Sequence, residues 1–168
     1  MRFSLTWGIA SCVALITVIV PMPLNTAFLG INKADNVLAA FPQIKQWVIA
    51  GHSLGGVGAA EYIKGADLTK MKGLLLLASY PASDISALDV AVMSISGSKD
   101  LQSTPEKIAL NKPKLPTNTQ YVVIENANHW QFGSFAPENT LQHGLISPEA
   151  QAELAFKKSL EFLSALAP

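Results

Sequence analysis

Apolar runs of strand length alternate with helical segments along most of the chain. Five segments carry such runs, each closed by glycine, proline or polar residues, and they are residues 12–20, 46–51, 71–81, 87–100 and 119–130. Helical spacing of apolar residues, or a capping pattern, marks residues 33–45, 56–70, 104–115 and 148–168. This alternation predicts an α/β fold with a mostly parallel sheet of about five strands and helices on both faces.

Two of the predicted helices have recognisable starts. Thr104 followed by Pro105, and Ser147 followed by Pro148, place a capping hydroxyl before a proline at the first helical position. The last helix carries a broad apolar stripe, which we expect to face the core: Leu154, Leu160, Phe162, Leu163 and Leu166.

Residues 1–20 fit two interpretations. Their stretch "CVALITVIV" is rich in β-branched residues, as a strand buried on both faces is. The single Arg2 followed by an apolar stretch also suits an export signal or a membrane anchor, although no A-x-A cleavage site follows. We favour the buried strand and a cytoplasmic protein; export or membrane association through residues 1–20 is the alternative.

Composition limits the classes of function. A chain of 168 residues is long enough for one domain with a real core, so we expect residues 1–168 to form a single domain. Twelve basic residues balance twelve acidic ones, which argues against a nucleic-acid partner. Cys12 is the only cysteine and the three histidines lack metal-ligand spacing, so no metal site is expected.

A glycine-rich turn carries the first candidate for chemistry. Gly51-His52-Ser53-Leu54-Gly55 fits the pattern G-x-S-x-G, and it joins a predicted strand to a predicted helix. Such a turn strains the serine backbone, and flanking glycines let neighbouring chain approach without Cβ clashes. The hydroxyl then stands exposed at the positive end of a helix.

Phosphate-binding motifs fit this turn less well. No Lys-Ser or Lys-Thr pair follows the glycines, as a P-loop requires. A dinucleotide fingerprint would need a third glycine where Glu61 stands. Ser53 could also be an ordinary helix cap.

A serine nucleophile needs a base and an acid that orients it, and two candidates follow later strands. Asp100 comes just after the segment "SISGSK", and His129 follows "VVIENAN". Because the carboxyl ends of parallel strands meet at one edge of a sheet, Ser53, Asp100 and His129 are expected to lie together. The alternatives left open are Asp84, Asp89 and His143.

We expect supporting roles for the residues next to this set. We expect His52 to pack or hydrogen-bond locally rather than act as the base, because adjacent side chains on a sharp turn diverge. Trp130, Phe132 and Phe135 are interpreted as lining a substrate pocket or belonging to the core.

The sequence resembles the α/β-hydrolase superfamily from about Val18 to the end. "WVIAGHSLGG", "GLLLLASYP", "SISGSKD" with "TPEKI", "NHWQFGSF" and "MPLN" are similar to the dienelactone-hydrolase-like branch, with a serine in the nucleophile place. The resemblance implies Ser53 as nucleophile, His129 as general base, Asp100 as its orienting acid and the Leu54 N–H as an oxyanion donor. It implies hydrolysis of a small-molecule carboxylic ester with no metal or organic cofactor.

The chain departs from that superfamily before the nucleophile. Only about 45 residues precede the nucleophile strand, so some three strands and the loop with the second oxyanion donor are expected to be absent. A short form of the fold would be a weak enzyme, because one lost donor costs about a hundred- to a thousandfold in rate. It could also pair through its exposed edge as a homodimer. The alternative functions are a catalytically impaired binding or membrane-associated module, and acyl transfer to an acceptor other than water.

Overall fold

Four parallel strands form the sheet in the computed structural model, which describes residues 17–20, 30–133 and 146–167. The strands are β1 (Trp47–His52), β2 (Met71–Leu77), β3 (Ala91–Gly97) and β4 (Gln120–Ile124). They lie side by side in chain order, and every neighbouring pair is parallel. The predicted α/β class with a parallel sheet is confirmed.

One of the five predicted strands, residues 12–20, falls mostly outside the described residues. Its last four residues, 17–20, form neither helix nor strand, and the side chain of Ile19 is exposed. The alternative interpretation of residues 1–20 as a signal or anchor concerns largely the same undescribed stretch. None of the helices in the described ranges has the length and apolar character needed to cross a bilayer.

Helices connect or follow the strands as the sequence pattern predicts. They are α1 (Lys33–Ala40), α2 (Leu54–Gly65), α3 (Pro105–Asn111) and α4 (Pro148–Ala165). The Thr104 side chain accepts a hydrogen bond from the Lys107 N–H, and that of Ser147 accepts one from the Ala150 N–H. Both predicted helix caps are therefore confirmed.

The two faces of the sheet bury separate apolar clusters. On one face, Leu74 and Leu76 of β2 pack with residues of α2, and α1 packs against the same cluster. Leu75 of β2 points to the opposite face and packs with residues of β3 and α4. Because side chains alternate along a strand, the continuous run "LLLL" supplies both cores at once.

The predicted core stripe of α4 is partly wrong. Leu154 and Leu160 are 44% and 39% exposed, whereas the buried positions of this helix are Gln151, Ala155 and Phe162. The buried face is set by what α4 contacts, and Gln151 on that face hydrogen-bonds a loop beside the sheet.

Candidate active site

Ser53 occupies the sharp turn between β1 and α2. Its backbone has φ 52° and ψ −125°, a left-handed φ that costs a non-glycine residue about 1–3 kcal/mol. Hydrogen bonds hold this conformation: the Ser53 N–H donates to the carbonyl of Leu77 at 3.0 Å, and the Ser79 hydroxyl donates to the Ser53 carbonyl at 2.7 Å. The turn is thus tied to the carboxyl end of β2.

Two glycines make the turn sterically possible. A Cβ at Gly51 would collide with the backbone of Gly55 and Gly56, and a Cβ at Gly56 would lie 2.5 Å from Ser79 Oγ. No atom lies within 4 Å of a Cβ built at Gly55. Neighbouring chain therefore approaches closely at Gly51, as expected, but not at Gly55. The second close approach is at Gly56, which lies outside the G-x-S-x-G pattern.

The Ser53 side chain points to a histidine and not to the helix. Ser53 is the residue before α2, yet its hydroxyl makes no capping hydrogen bond. Its Oγ lies 2.9 Å from Nε2 of His129. The alternative in which Ser53 is an ordinary helix cap is therefore wrong.

His129 and Asp100 form a buried pair behind the serine. His129 Nδ1 lies 2.8 Å from Asp100 Oδ2, and the two residues are 3% and 1% exposed. The other carboxylate oxygen of Asp100 accepts the N–H groups of Gln102 and Ser103, each at 2.7 Å. With both oxygens engaged, the carboxylate is fixed in orientation and the imidazole presents Nε2 to Ser53.

The alternative acids do not join this pair. Asp84 and Asp89 are exposed, and Asp84 accepts the N–H of Ser86 in its own turn. His143, the alternative base, lies outside the described residues, as does Phe135. The structure thus brings together Ser53, Asp100 and His129.

Leu54 stands where an oxyanion donor was predicted. It is the first residue of α2, and first-turn N–H groups have no acceptor within their own helix. The positive end of the helix dipole also lies there, which favours negative charge. The Leu54 side chain is exposed beside Ser53.

Aromatic rings pack on His129 and on the neighbouring His52. The Trp130 ring meets the His129 ring edge-on at 5.5 Å between centroids. Phe132 stacks on His52 at 6.2 Å and packs against the cluster beneath α4. Phe132 therefore has a place both beside the site and at the edge of the core.

Several supporting residues were not predicted from the sequence. Ser79 and Ser103 are buried, and the Ser103 hydroxyl donates to the carbonyl of Ala78 at 2.7 Å. Gln151 of α4 accepts the Asn128 N–H at 3.0 Å and donates to the Asn128 carbonyl at 2.8 Å. Two signals in the sequence could have indicated them. Ser79 and Ser103 are polar residues that closely follow strands, and Gln151 is a polar residue on the face of α4 that is buried.

Burial affects the titration of a second histidine at the site. Desolvation, and next the neighbouring His129, lower the pKa of His52 below its usual value of 6.5. His52 is therefore held in its neutral form around neutral pH. In the described part of the chain, no group of three or more potential metal ligands is assembled.

Two depressions lie elsewhere on the surface. One of about 510 Å³ is lined by residues that include Lys112 and Tyr121, and one of about 330 Å³ lies between α1 and α2. Neither is lined by Ser53 or His129. They do not bear on the arrangement described above.

Comparison with known proteins decides the family. The family model described as "Alpha/beta hydrolase family" matches residues 10–153. The chain belongs to this family. No curated protein matches the sequence significantly.

Solved structures of other proteins have a fold similar to that of this alpha/beta hydrolase. A thermophilic esterase from Thermogutta terrifontis superposes with a TM-score of 0.62 and 13% identity, covering 90% of this chain and 76% of the esterase. A structure from a study of carboxylesterases of Nitrososphaera gargenis gives 0.57 and 13%, with 84% and 72% covered. An alpha-beta serine hydrolase homologue from Coxiella burnetii gives 0.56 and 15%, with 79% and 59% covered. At such identities the likeness concerns the fold alone.

Proposed function

We propose that this alpha/beta hydrolase is a serine hydrolase that cleaves carboxylic esters through an acyl-enzyme. The observation that carries the proposal is the 2.9 Å contact between Ser53 Oγ and His129 Nε2, with Asp100 bound to the other ring nitrogen. In this arrangement the aspartate holds the proton on Nδ1, so Nε2 is free to accept the serine proton.

The reaction follows from these contacts. Ser53 Oγ attacks the ester carbonyl while its proton passes to His129 Nε2, and the negative charge that develops on the carbonyl oxygen is stabilised by the Leu54 N–H. The C–O bond to the alcohol breaks as His129 returns the proton to the leaving oxygen. Water, deprotonated by His129, then attacks the acyl-enzyme, and the acid and free Ser53 result.

The substrate class rests on the surroundings of Ser53. Leu54 exposes an apolar side chain beside it, and Trp130 lies against the histidine. These groups favour an ester with a small or medium apolar acyl group. The dienelactone-hydrolase-like branch remains a proposal on the motifs of the sequence.

A covalent probe tests the proposal. We expect a fluorophosphonate to add once to the wild-type protein and not to Ser53→Ala, as seen by intact mass. Ser159→Ala is the matched control, because the Ser159 hydroxyl donates to the Ala155 carbonyl within α4, away from the site. A panel of esters of increasing acyl length then measures the preference.

The opposite result is equally informative. Absence of labelling in folded wild-type protein, checked by circular dichroism, would refute an activated Ser53. A binding module without catalysis would then be the better hypothesis.

A further inference from the structure

His52 makes a contact that the proposed reaction does not use. It is the last residue of β1, and its Nε2 lies 2.9 Å from the backbone carbonyl oxygen of His129. Because a carbonyl can only accept, His52 Nε2 carries the hydrogen and donates it. The two imidazole rings are also in contact, with centroids 4.8 Å apart and planes tilted by 47°.

The bond from His52 to the His129 carbonyl links the ends of two strands that are not neighbours in the sheet. β1 and β4 are the outer strands of the described sheet, and β2 and β3 lie between them. Two adjacent residues at the end of β1 therefore reach the same residue after β4: Ser53 contacts the ring of His129, and His52 contacts its main chain.

The two contacts differ in what happens to them during the reaction. The bond between Ser53 Oγ and His129 is lost when Oγ becomes acylated, because its proton has moved. The His129 carbonyl takes no part in the chemistry, so the bond from His52 persists through every step. Together with the bond from Asp100 to the His129 ring, it is available to hold the histidine near the acyl group when water must be activated.

We propose that His52 is a positioning residue, whose Nε2–H holds the main chain of His129 so that its ring stays aligned with Ser53 during acylation and deacylation. This inference rests on the proposed esterase function. Burial keeps His52 neutral, as its lowered pKa indicates. A neutral neighbour avoids a second positive charge beside the imidazolium that His129 becomes, whereas Asp100 on the far side of His129 stabilises it.

Two substitutions separate positioning from packing. His52→Phe keeps an aromatic ring against His129 and Phe132 but removes the donor. His52→Gln loses the ring but restores an N–H at a similar reach. His52→Met, flexible and without a donor, replaces the phenylalanine variant if that variant does not fold.

The rate of fluorophosphonate labelling and the steady-state constants kcat and KM are the readouts. We expect labelling and kcat to fall about 10- to 100-fold in His52→Phe with KM within about threefold, because misplacement of a reacting group by about 1 Å costs about that much. His52→Gln should recover to within about fivefold of the wild type. A phenylalanine variant that labels at the wild-type rate, or a glutamine variant as slow as it, would overturn the inference.

A second measurement keeps this test apart from the proposed function. If the wild-type protein is not labelled, the esterase proposal fails, and hydrogen exchange still examines the contact. We expect faster amide exchange in residues 125–133 of His52→Phe and wild-type exchange in His52→Gln. Unchanged exchange in His52→Phe would show that the bond does not hold this segment.

Discussion

Two neighbouring glycines of the turn at Ser53 should respond oppositely to alanine. Gly55 belongs to the G-x-S-x-G pattern, but a Cβ built on it meets no atom within 4 Å. Gly56 lies outside the pattern, yet its Cβ would meet Ser79 Oγ at 2.5 Å, Ser79 Cβ at 2.6 Å and the Gly51 carbonyl oxygen at 2.8 Å. Of these two neighbours, the structure therefore predicts that Gly56, outside the motif, is the one that does not tolerate a Cβ.

The magnitude follows from these distances. Crowding of this kind costs about 1–3 kcal/mol. A displaced Ser79 also loses its hydrogen bond to the Ser53 carbonyl, worth about 0.5–1.5 kcal/mol. Against this, the change from glycine to alanine stabilises the fold by about 0.4–1 kcal/mol, because it reduces the conformational entropy of the unfolded chain. Gly56→Ala should therefore lower the free energy of unfolding by about 0.5–4 kcal/mol, whereas Gly55→Ala should raise it by about 0.4–1 kcal/mol.

Urea unfolding followed by circular dichroism measures both variants. Gly65→Ala, at the end of the same helix and also in open space, is the control and should be stabilised like Gly55→Ala. A Gly56→Ala protein as stable as Gly55→Ala would refute the reasoning, because it would mean that Ser79 does not occupy the space beside Gly56.

Two further predictions concern the ionisable groups of the site. Asp100→Asn should slow fluorophosphonate labelling by about 10³- to 10⁴-fold. An amide can donate a hydrogen bond to His129 Nδ1, which favours the tautomer whose Nε2 is protonated and cannot accept the Ser53 proton. Labelling at the wild-type rate would contradict the proposed role of the carboxylate. The pKa of His52 is lowered on folding, so the unfolded chain takes up the proton at a higher pH than the folded chain. The free energy of unfolding should therefore fall as pH drops below 6.5, and less so in His52→Phe; equal pH slopes in urea titrations of both proteins would contradict this.

The parts of the fold that follow from local pattern could be predicted from the sequence. The strand "LLLL" is continuous in apolar residues because both of its faces are covered, and the glycines around Ser53 mark the turn. Thr104 and Ser147 mark helix starts through short-range hydrogen bonds to the N–H groups of Lys107 and Ala150. Each of these signals lies within a few residues of the structure that it predicts.

The parts that depend on contacts between distant segments could not be predicted. Nothing near Gln151 in sequence shows that its amide pairs with the main chain of Asn128, 23 residues earlier. That pairing buries a polar residue in α4 and leaves the apolar Leu154 exposed. Counting apolar positions along the helix therefore placed Phe162 correctly on the buried face but wrongly placed Leu154 there as well.

The strained residues of the site are held by hydrogen bonds within the fold. Ser53 and Ala78 both have left-handed φ, 52° and 46°, at a cost of about 1–3 kcal/mol each. The Ser53 carbonyl accepts from the Ser79 hydroxyl and from the N–H groups of Gly56 and Val57, and the Ala78 carbonyl accepts from Ser103. At about 0.5–1.5 kcal/mol for each bond, these contacts offset a strain of that size.

Together with the contacts of His129 and Asp100, these bonds close a circuit around Ser53. From Ser53 it passes through His129 and Asp100 to Ser103, and the turn after β2, which contains Ser79, leads back to the Ser53 carbonyl. Every member lies at or beyond the carboxyl end of one of the four parallel strands. Protein groups alone close this circuit and align Ser53 with His129. In the proposed reaction, the binding energy of the substrate need not be spent on assembling them.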